Sequence, residues 1–201
     1  MKLRQIVSPT FHAVATTVQT VARFAKLERV LALVCLFTPA LLIWSDDGPI
    51  RSSISAYYNM RENQLFYFPL TVASMLFVVN GVVKDKHIYN TFLGMMLAGV
   101  ILFNHDDFRA LHDVLAVGFF AGNAVVIVVY SSKKERWFKL LLVAGIALSM
   151  IGWLFLKWFT LFWAEWLSFG IIALHYILES WESSTDPLAG RDSVAAPIPR
   201  P

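Results

Sequence analysis

The chain holds a single cysteine, Cys35, so neither a disulfide framework nor a CxxC metal motif is open to it. Charge is scarce as well: Asp, Glu, Lys and Arg make up 15% of the 201 residues, against about 25% in an ordinary soluble domain. With 57% apolar residues, that shortage excludes a disordered chain and a normal water-facing surface. Strand-length segments of alternating polarity are missing, which excludes an outer-membrane type barrel. The net charge is only +3, and the Lys and Arg sit in short clusters between apolar runs rather than along one face. Nucleic acid is therefore not expected as a partner.

What is present is apolar length. Mean hydropathy is +0.59, with 16 Phe and 7 Trp. Six runs approach the roughly 20 residues needed to cross about 30 Å of hydrocarbon, at 27–44, 65–83, 88–103, 110–130, 137–156 and 158–178. In lipid only helices or closed barrels satisfy the backbone, so the runs read as helices. The expected fold is all-α, a polytopic transmembrane bundle of six helices. The last two runs form 42 nearly continuous apolar residues, so the chain must reverse near Lys157, without help from Gly or Pro.

Lys and Arg in the short loops set the expected orientation. Eleven of them (Lys2, Arg4, Arg23, Lys26, Arg29, Lys84, Lys86, Lys133, Lys134, Arg136 and Lys139) fall on one side, and four (Arg51, Arg61, Arg109 and Lys157) on the other. Both termini are expected in the cytoplasm, with the protein in the inner membrane of a cell. Residues 1–26 read as a cytoplasmic amphipathic segment, with Pro9 in a first turn and Phe11, Val14, Val18 and Val21 recurring on one face. An organellar targeting peptide is the rival reading, since no acid precedes Glu28. Residues 27–180 form the transmembrane domain, and 181–201 read as a disordered cytoplasmic tail.

Ionisable groups beside apolar spans are costly and so are functional candidates. Most collect at one end. In the first loop, Ile50, Ile54 and Tyr57 form an apolar stripe that predicts a short helix over 49–60, with Arg51, Ser55 and Tyr58 on a neighbouring face. Arg51, Ser55, Tyr58 and Arg61 are the candidate ligand-binding residues, although an interfacial helix with Tyr rings at headgroup level explains the same pattern. Between spans 3 and 4, His105 and His112 are seven apart, as are Asp106 and Asp113, so each pair shares a face if span 4 begins early. His105, His112 and Asp113 could ligate zinc or another divalent ion, while Asp near a helix start is also ordinary capping. Glu165, among Leu161, Phe162, Trp163 and Trp166, needs a partner or a proton, and pairing with Arg51, Arg61, Arg109 or His112 is the economical expectation. Glu165 and His112 are the candidate catalytic pair, and a structural ion pair is the plainer role for Glu165. His87 and His175 could face one another as haem ligands. Gly118 and Gly122 in span 4, and Gly94, Ala98 and Gly99 in span 3, point to close helix packing.

Through Ser53-Ile54-Ser55-Ala56-Tyr57-Tyr58 after the first span, the chain resembles a prokaryotic family of uncharacterised six-helix membrane proteins. His112 with Ala116, Phe119 and Phe120 is similar to that family's fourth span, and Glu165 with Phe169 and Gly170 to its last. The resemblance implies a fold and a membrane address and no activity. A more distant likeness is to membrane hydrolases of the ceramidase and adiponectin-receptor type, which hold zinc inside a helical bundle. This chain departs from them in having six spans and no His-x-x-x-His in the last.

Three functions follow from these features. The first is a binding or structural membrane protein whose outer pocket holds a lipid headgroup or small polar ligand, with a membrane lipid, a second copy or a membrane-complex subunit as partner. The second is a metal-dependent lipid hydrolase, with Glu165 as general base. The third is a proton-coupled transporter on Glu165, set last because no span carries an evident polar group at mid-depth.

Overall fold

The computed structural model describes residues 26–83, 88–130 and 136–185. The amphipathic segment expected before residue 26, His87 of the haem pair and the chain beyond residue 185 lie outside these. Among the described residues there are six helices and no strand: α1 (Lys26–Ser45), α2 (Gln64–Val83), α3 (Ile88–Leu102), α4 (His105–Val125), α5 (Arg136–Leu154) and α6 (Leu161–Thr185). Five are long and apolar enough to cross a membrane, and α3, at 15 residues, is the short one. α6 continues past the end of its apolar run, so residues 181–185, expected in the tail, are helical.

The side chains are sorted inside out relative to a soluble bundle. Leu141, Val114, Val117 and Phe92 face outward, while Asn80, Asn90, Asn123, Ser149 and Ser168 are buried. Lipid reverses the usual preference, since an outward methyl costs nothing there and an outward amide costs a great deal. The centre is aromatic. Phe77 of α2 meets Phe119 of α4 and Tyr176 of α6 edge to face, both at 5.5 Å between ring centroids.

Among α2 to α6, α2 packs most extensively on α3, followed by α5 on α6 and α3 on α4. Small residues bring these pairs close, as the glycine stripes predict. Ser74 Oγ donates to the Gly94 carbonyl at 2.8 Å across α2 and α3, and Ser149 and Ser168 join their hydroxyls at 3.0 Å across α5 and α6. The reversal expected near Lys157 occurs there. The amide of Trp158 donates to the Gly152 carbonyl at 3.0 Å, closing the last turn of α5, and Lys157 takes the left-handed φ of 54° that such a closure needs.

α4 begins at His105, five residues before its apolar run, because Asn104 caps it: Asn104 Oδ1 accepts the Asp107 amide at 2.8 Å. The opposite end of α4 winds into a π-helical segment, Val126–Tyr130.

Candidate functional site

The loop between α1 and α2 is the most elaborate polar structure at its end of the bundle. The helix expected over 49–60 is instead a short 3-10 helix, Ser55–Asn59, preceded by bends. The reason is visible in what is buried. Ile54, Tyr57 and Met60 point into the protein, three residues apart as a 3-10 turn requires, while Ile50 is 47% exposed.

Arg51 lies before that turn, at the start of the bends, and so is parted from the face expected to carry it with Ser55 and Tyr58. The Arg51 guanidinium turns back to Asp46, with Nε 2.6 Å and Nη2 3.4 Å from its two carboxylate oxygens. It also donates to the Ala56 carbonyl and lies over the Tyr57 ring. This guanidinium holds the Asp46 carboxyl below the usual carboxylate range. Ser55 is buried, 3.0 Å from the Ser53 hydroxyl, which accepts the Ala56 amide. Tyr58 reaches the other way and donates to the Asp106 carboxylate at the start of α4, which also accepts from Asn59. The Asp106 contact raises the Tyr58 hydroxyl above the ordinary tyrosine range. Arg61 is exposed on the loop.

The loop is sewn to α6 by two reciprocal bonds. Phe162 donates its amide to the Ser52 carbonyl at 2.8 Å, and Ile54 donates its amide to Glu165 Oε2 at 2.6 Å. The first satisfies one of the orphan amides at the N-terminus of α6. The second answers why a carboxylate stands among aromatic rings, and corrects the expected pairing. Glu165, 6% exposed, takes a backbone amide from the loop and not Arg51, Arg61, Arg109 or His112. Arg51 is committed to Asp46, and Arg109 stands 4.0 Å from Asp113 on its own helix.

Beneath the latch lies a cavity of about 20 Å3, room for about one water molecule. Its walls are Phe66, Leu97, Phe119, Phe120 and Phe169 with their apolar neighbours, and its polar lining residues are Glu165 and Ser55.

His112 does not line it. Its Nδ1 is 2.7 Å from the Phe103 carbonyl, which ties α4 to the end of α3. The early start of α4 does bring His105 over His112, ring centroids 5.7 Å apart and nearly perpendicular, and places His105 Nε2 3.8 Å from Asp113. The three expected metal ligands are thus neighbours, but His112 is turned to a carbonyl while His105 and Asp113 are about half-exposed. Among the described residues no three His, Cys, Asp or Glu side chains are arranged to hold a metal ion. No hydrogen bond or ion pair joins Glu165 to His112, so the expected catalytic pair is not a unit.

Sequence reasoning missed the backbone of Ser52 and Ile54, which leave no mark on a pattern of side chains. It also missed a set of buried polar residues at the opposite end, including Glu28, Asn80, Asn90 and Lys139. Their signal was available: each is a polar side chain in or at the edge of an apolar run. His175, buried beside Tyr176 in α6, belongs to the same region.

No curated protein and no solved structure matches the chain. A family of unknown function, DUF7103, matches residues 37–180, from within α1 to near the end of α6, and the chain belongs to that family.

Proposed function

We propose that this is a multi-pass membrane protein that binds the polar headgroup of a membrane lipid under its first loop, with Glu165 and Ser55 as the groups that hold it. The carrying observation is Glu165 itself: a buried carboxylate that, with Ser55, lines an otherwise apolar cavity. A carboxylate in such a place favours a cationic donor, because a charge-assisted bond is about twice as strong as a neutral one. An ammonium headgroup meets that demand. In the loop-down form Glu165 is occupied by the Ile54 amide. The headgroup replaces that amide as the loop lifts, so the segment 46–63 works as a lid fastened by Asp106 on one side and α6 on the other. The hydrolase reading would need His105, His112 and Asp113 to converge, and nothing favours it over binding; the ceramidase likeness has no further support.

Glu165→Gln tests the reading cleanly, since the amide oxygen still accepts from Ile54 and leaves the latch closed. Lipids bearing a primary ammonium headgroup, added to detergent-purified protein and counted by native mass spectrometry, are expected on the wild type about tenfold more than on Glu165→Gln, from the loss of roughly 1.5 kcal/mol. Equal retention would sink the proposal.

We further propose the inner membrane of a cell, with both termini in the cytoplasm, from the distribution of Lys and Arg. Cys35 is 1% exposed, so an introduced thiol can be read over a quiet background. Cysteines placed at Asp47 and Arg136 are expected to react with an impermeant maleimide from opposite sides, Asp47→Cys from outside. Reaction of both from one side would refute the orientation.

A further inference from the structure

The apolar outer surface of the bundle is not of even height. α3 turns Ile88, Met95 and Leu102 outward and α4 turns Val114, Val117 and Val129 outward, each of them more than half exposed. Close approaches fix the register of the two helices: a Cβ built at Gly99 would meet Leu115, one at Gly118 would meet Met96, and one at Gly122 would meet Leu93. His112 Nδ1, 2.7 Å from the Phe103 carbonyl, extends that register to the end of α3. Asp113 therefore stands level with the last residues of α3, and the apolar face ends there on both helices. At about 1.5 Å per residue, Ile88 to Leu102 covers about 21 Å and Val114 to Val129 about 23 Å. Membrane hydrocarbon is about 30 Å thick, and tilting a helix only shortens its reach.

Charge bounds this face at both ends. Arg109 and Asp113, 4.0 Å apart on α4, have side chains more than half exposed, and exposed Asp106 and Asp107 precede them. At the other end the sequence places Lys84, Asp85 and Lys86 before α3, and Lys133, Lys134 and Glu135 after α4. Each charged rim complements a layer of lipid headgroups, so the distance between the rims sets the bilayer thickness that the face accepts. The rims differ in reach. A lysine carries its ammonium outward along a four-carbon stem, whereas an aspartate has a single methylene and stays where its helix puts it. A bilayer too thick for this face therefore buries charge at the Asp113 end. The surface of α6 is taller: exposed Trp163 and Trp181, residues of the type that sits at the membrane interface, lie about 27 Å apart along the helix.

We propose that the α3–α4 face is a surface for short-chain lipids, which draws in the leaflet at the Asp113 end and gives the protein a preference for a bilayer thinner than about 30 Å. The partner is recognised by acyl-chain length, through the spacing of the two charged rims, and not by its headgroup. The inference rests on these helices crossing a membrane, and it does not depend on the headgroup site at Glu165.

Mismatch between the apolar face and the bilayer weighs on the folded state, so the melting temperature reports it. The test is thermal unfolding of the full chain, followed by tryptophan fluorescence, in vesicles of dimyristoleoyl, dioleoyl or dierucoyl phosphatidylcholine. These three lipids share one headgroup, which carries no primary ammonium, and differ in chain length, so the result is independent of the reading of Glu165. The wild type is expected to melt highest in the dimyristoleoyl vesicles and lower by about 4 °C or more in the dierucoyl ones. The double variant Arg109→Leu, Asp113→Leu removes the exposed pair and lengthens the apolar face of α4 by about 7 Å. Its highest melting temperature is expected to move to the dioleoyl vesicles. If the double variant is not recovered, Asp113→Leu alone serves, with a smaller shift in the same direction. A wild type that melts alike in all three lipids or highest in a longer one, or an order of melting temperatures that the substitutions leave unchanged, would overturn the inference.

Discussion

Lys139→Ala is expected to cost the folded protein about 3 kcal/mol or more, the largest loss from any single side chain at the end where α6 finishes. Lys139 lies one turn into α5, with its side chain 3% exposed, and its ammonium is 3.0 Å from the Glu179 carboxylate, itself 19% exposed. Taking away the cation leaves a carboxylate between α5 and α6 with that attraction gone, and in a low-dielectric wall the desolvation cost is not returned by water. Replacing both partners by apolar residues of similar size removes the cost together with the attraction. The double variant Lys139→Met, Glu179→Leu is therefore expected to recover to within about 1 kcal/mol of the wild type, as buried pairs exchanged for packed apolar groups do. Denaturant unfolding in mixed micelles measures both. A single variant as stable as the wild type would show that the pair contributes nothing to holding α5 on α6.

Gly94→Leu is expected to separate α2 from α3 and to abolish recovery of folded protein, with Gly94→Ala showing a milder form of the same loss. A Cβ built at Gly94 falls 2.7 Å from the Ser74 carbonyl oxygen and 2.9 Å from the Val78 nitrogen. Both are backbone atoms of α2, so neither can rotate away. The helices must move apart, and the hydrogen bond from Ser74 Oγ to the Gly94 carbonyl is lost with the contact. Gly122 provides the contrast. There the close atom is the Leu93 Cδ2 at 2.6 Å, the far end of a flexible side chain, so Gly122→Ala is expected to cost far less. Monodisperse yield on size exclusion, followed by melting temperature, ranks the three. A Gly94→Ala variant as stable as Gly122→Ala would show that the α2 to α3 approach is looser than these distances require.

The two ends of the bundle were unequally legible. At the first-loop end the important residue types were visible, because Glu165, His112, Asp106 and Arg51 stand out against apolar surroundings. Their partners were not. Arg51, Ser55 and Tyr58 share a face only if the loop winds as one α-helix from 49 to 60; the helix begins only at Ser55, so Arg51 lies before it and pairs with Asp46, while Tyr58 reaches Asp106. Glu165 was expected to seek a cation and found a peptide amide, and every residue but proline offers one of those. At the other end Asn80, Asn90 and Asn123 are single amides in separate apolar runs, each explicable alone as a packing residue.

The amino-acid sequence by itself determined the helical class, the number of helices, the reversal near Lys157 and the glycine-lined approaches. These depend on composition and local spacing: lipid demands an apolar run of set length with its backbone satisfied inside the run, and small residues admit close neighbours wherever they fall. The tertiary structure alone decided that α4 starts at His105, that Glu165 is bound by Ile54, that Tyr176 meets Asn90 and that Lys139 meets Glu179. Such facts depend on how far each helix slides along its neighbour and how each is turned about its own axis. One turn is about 5.4 Å, so a shift of that size would bring different residues level with Tyr176 without changing a single apolar run.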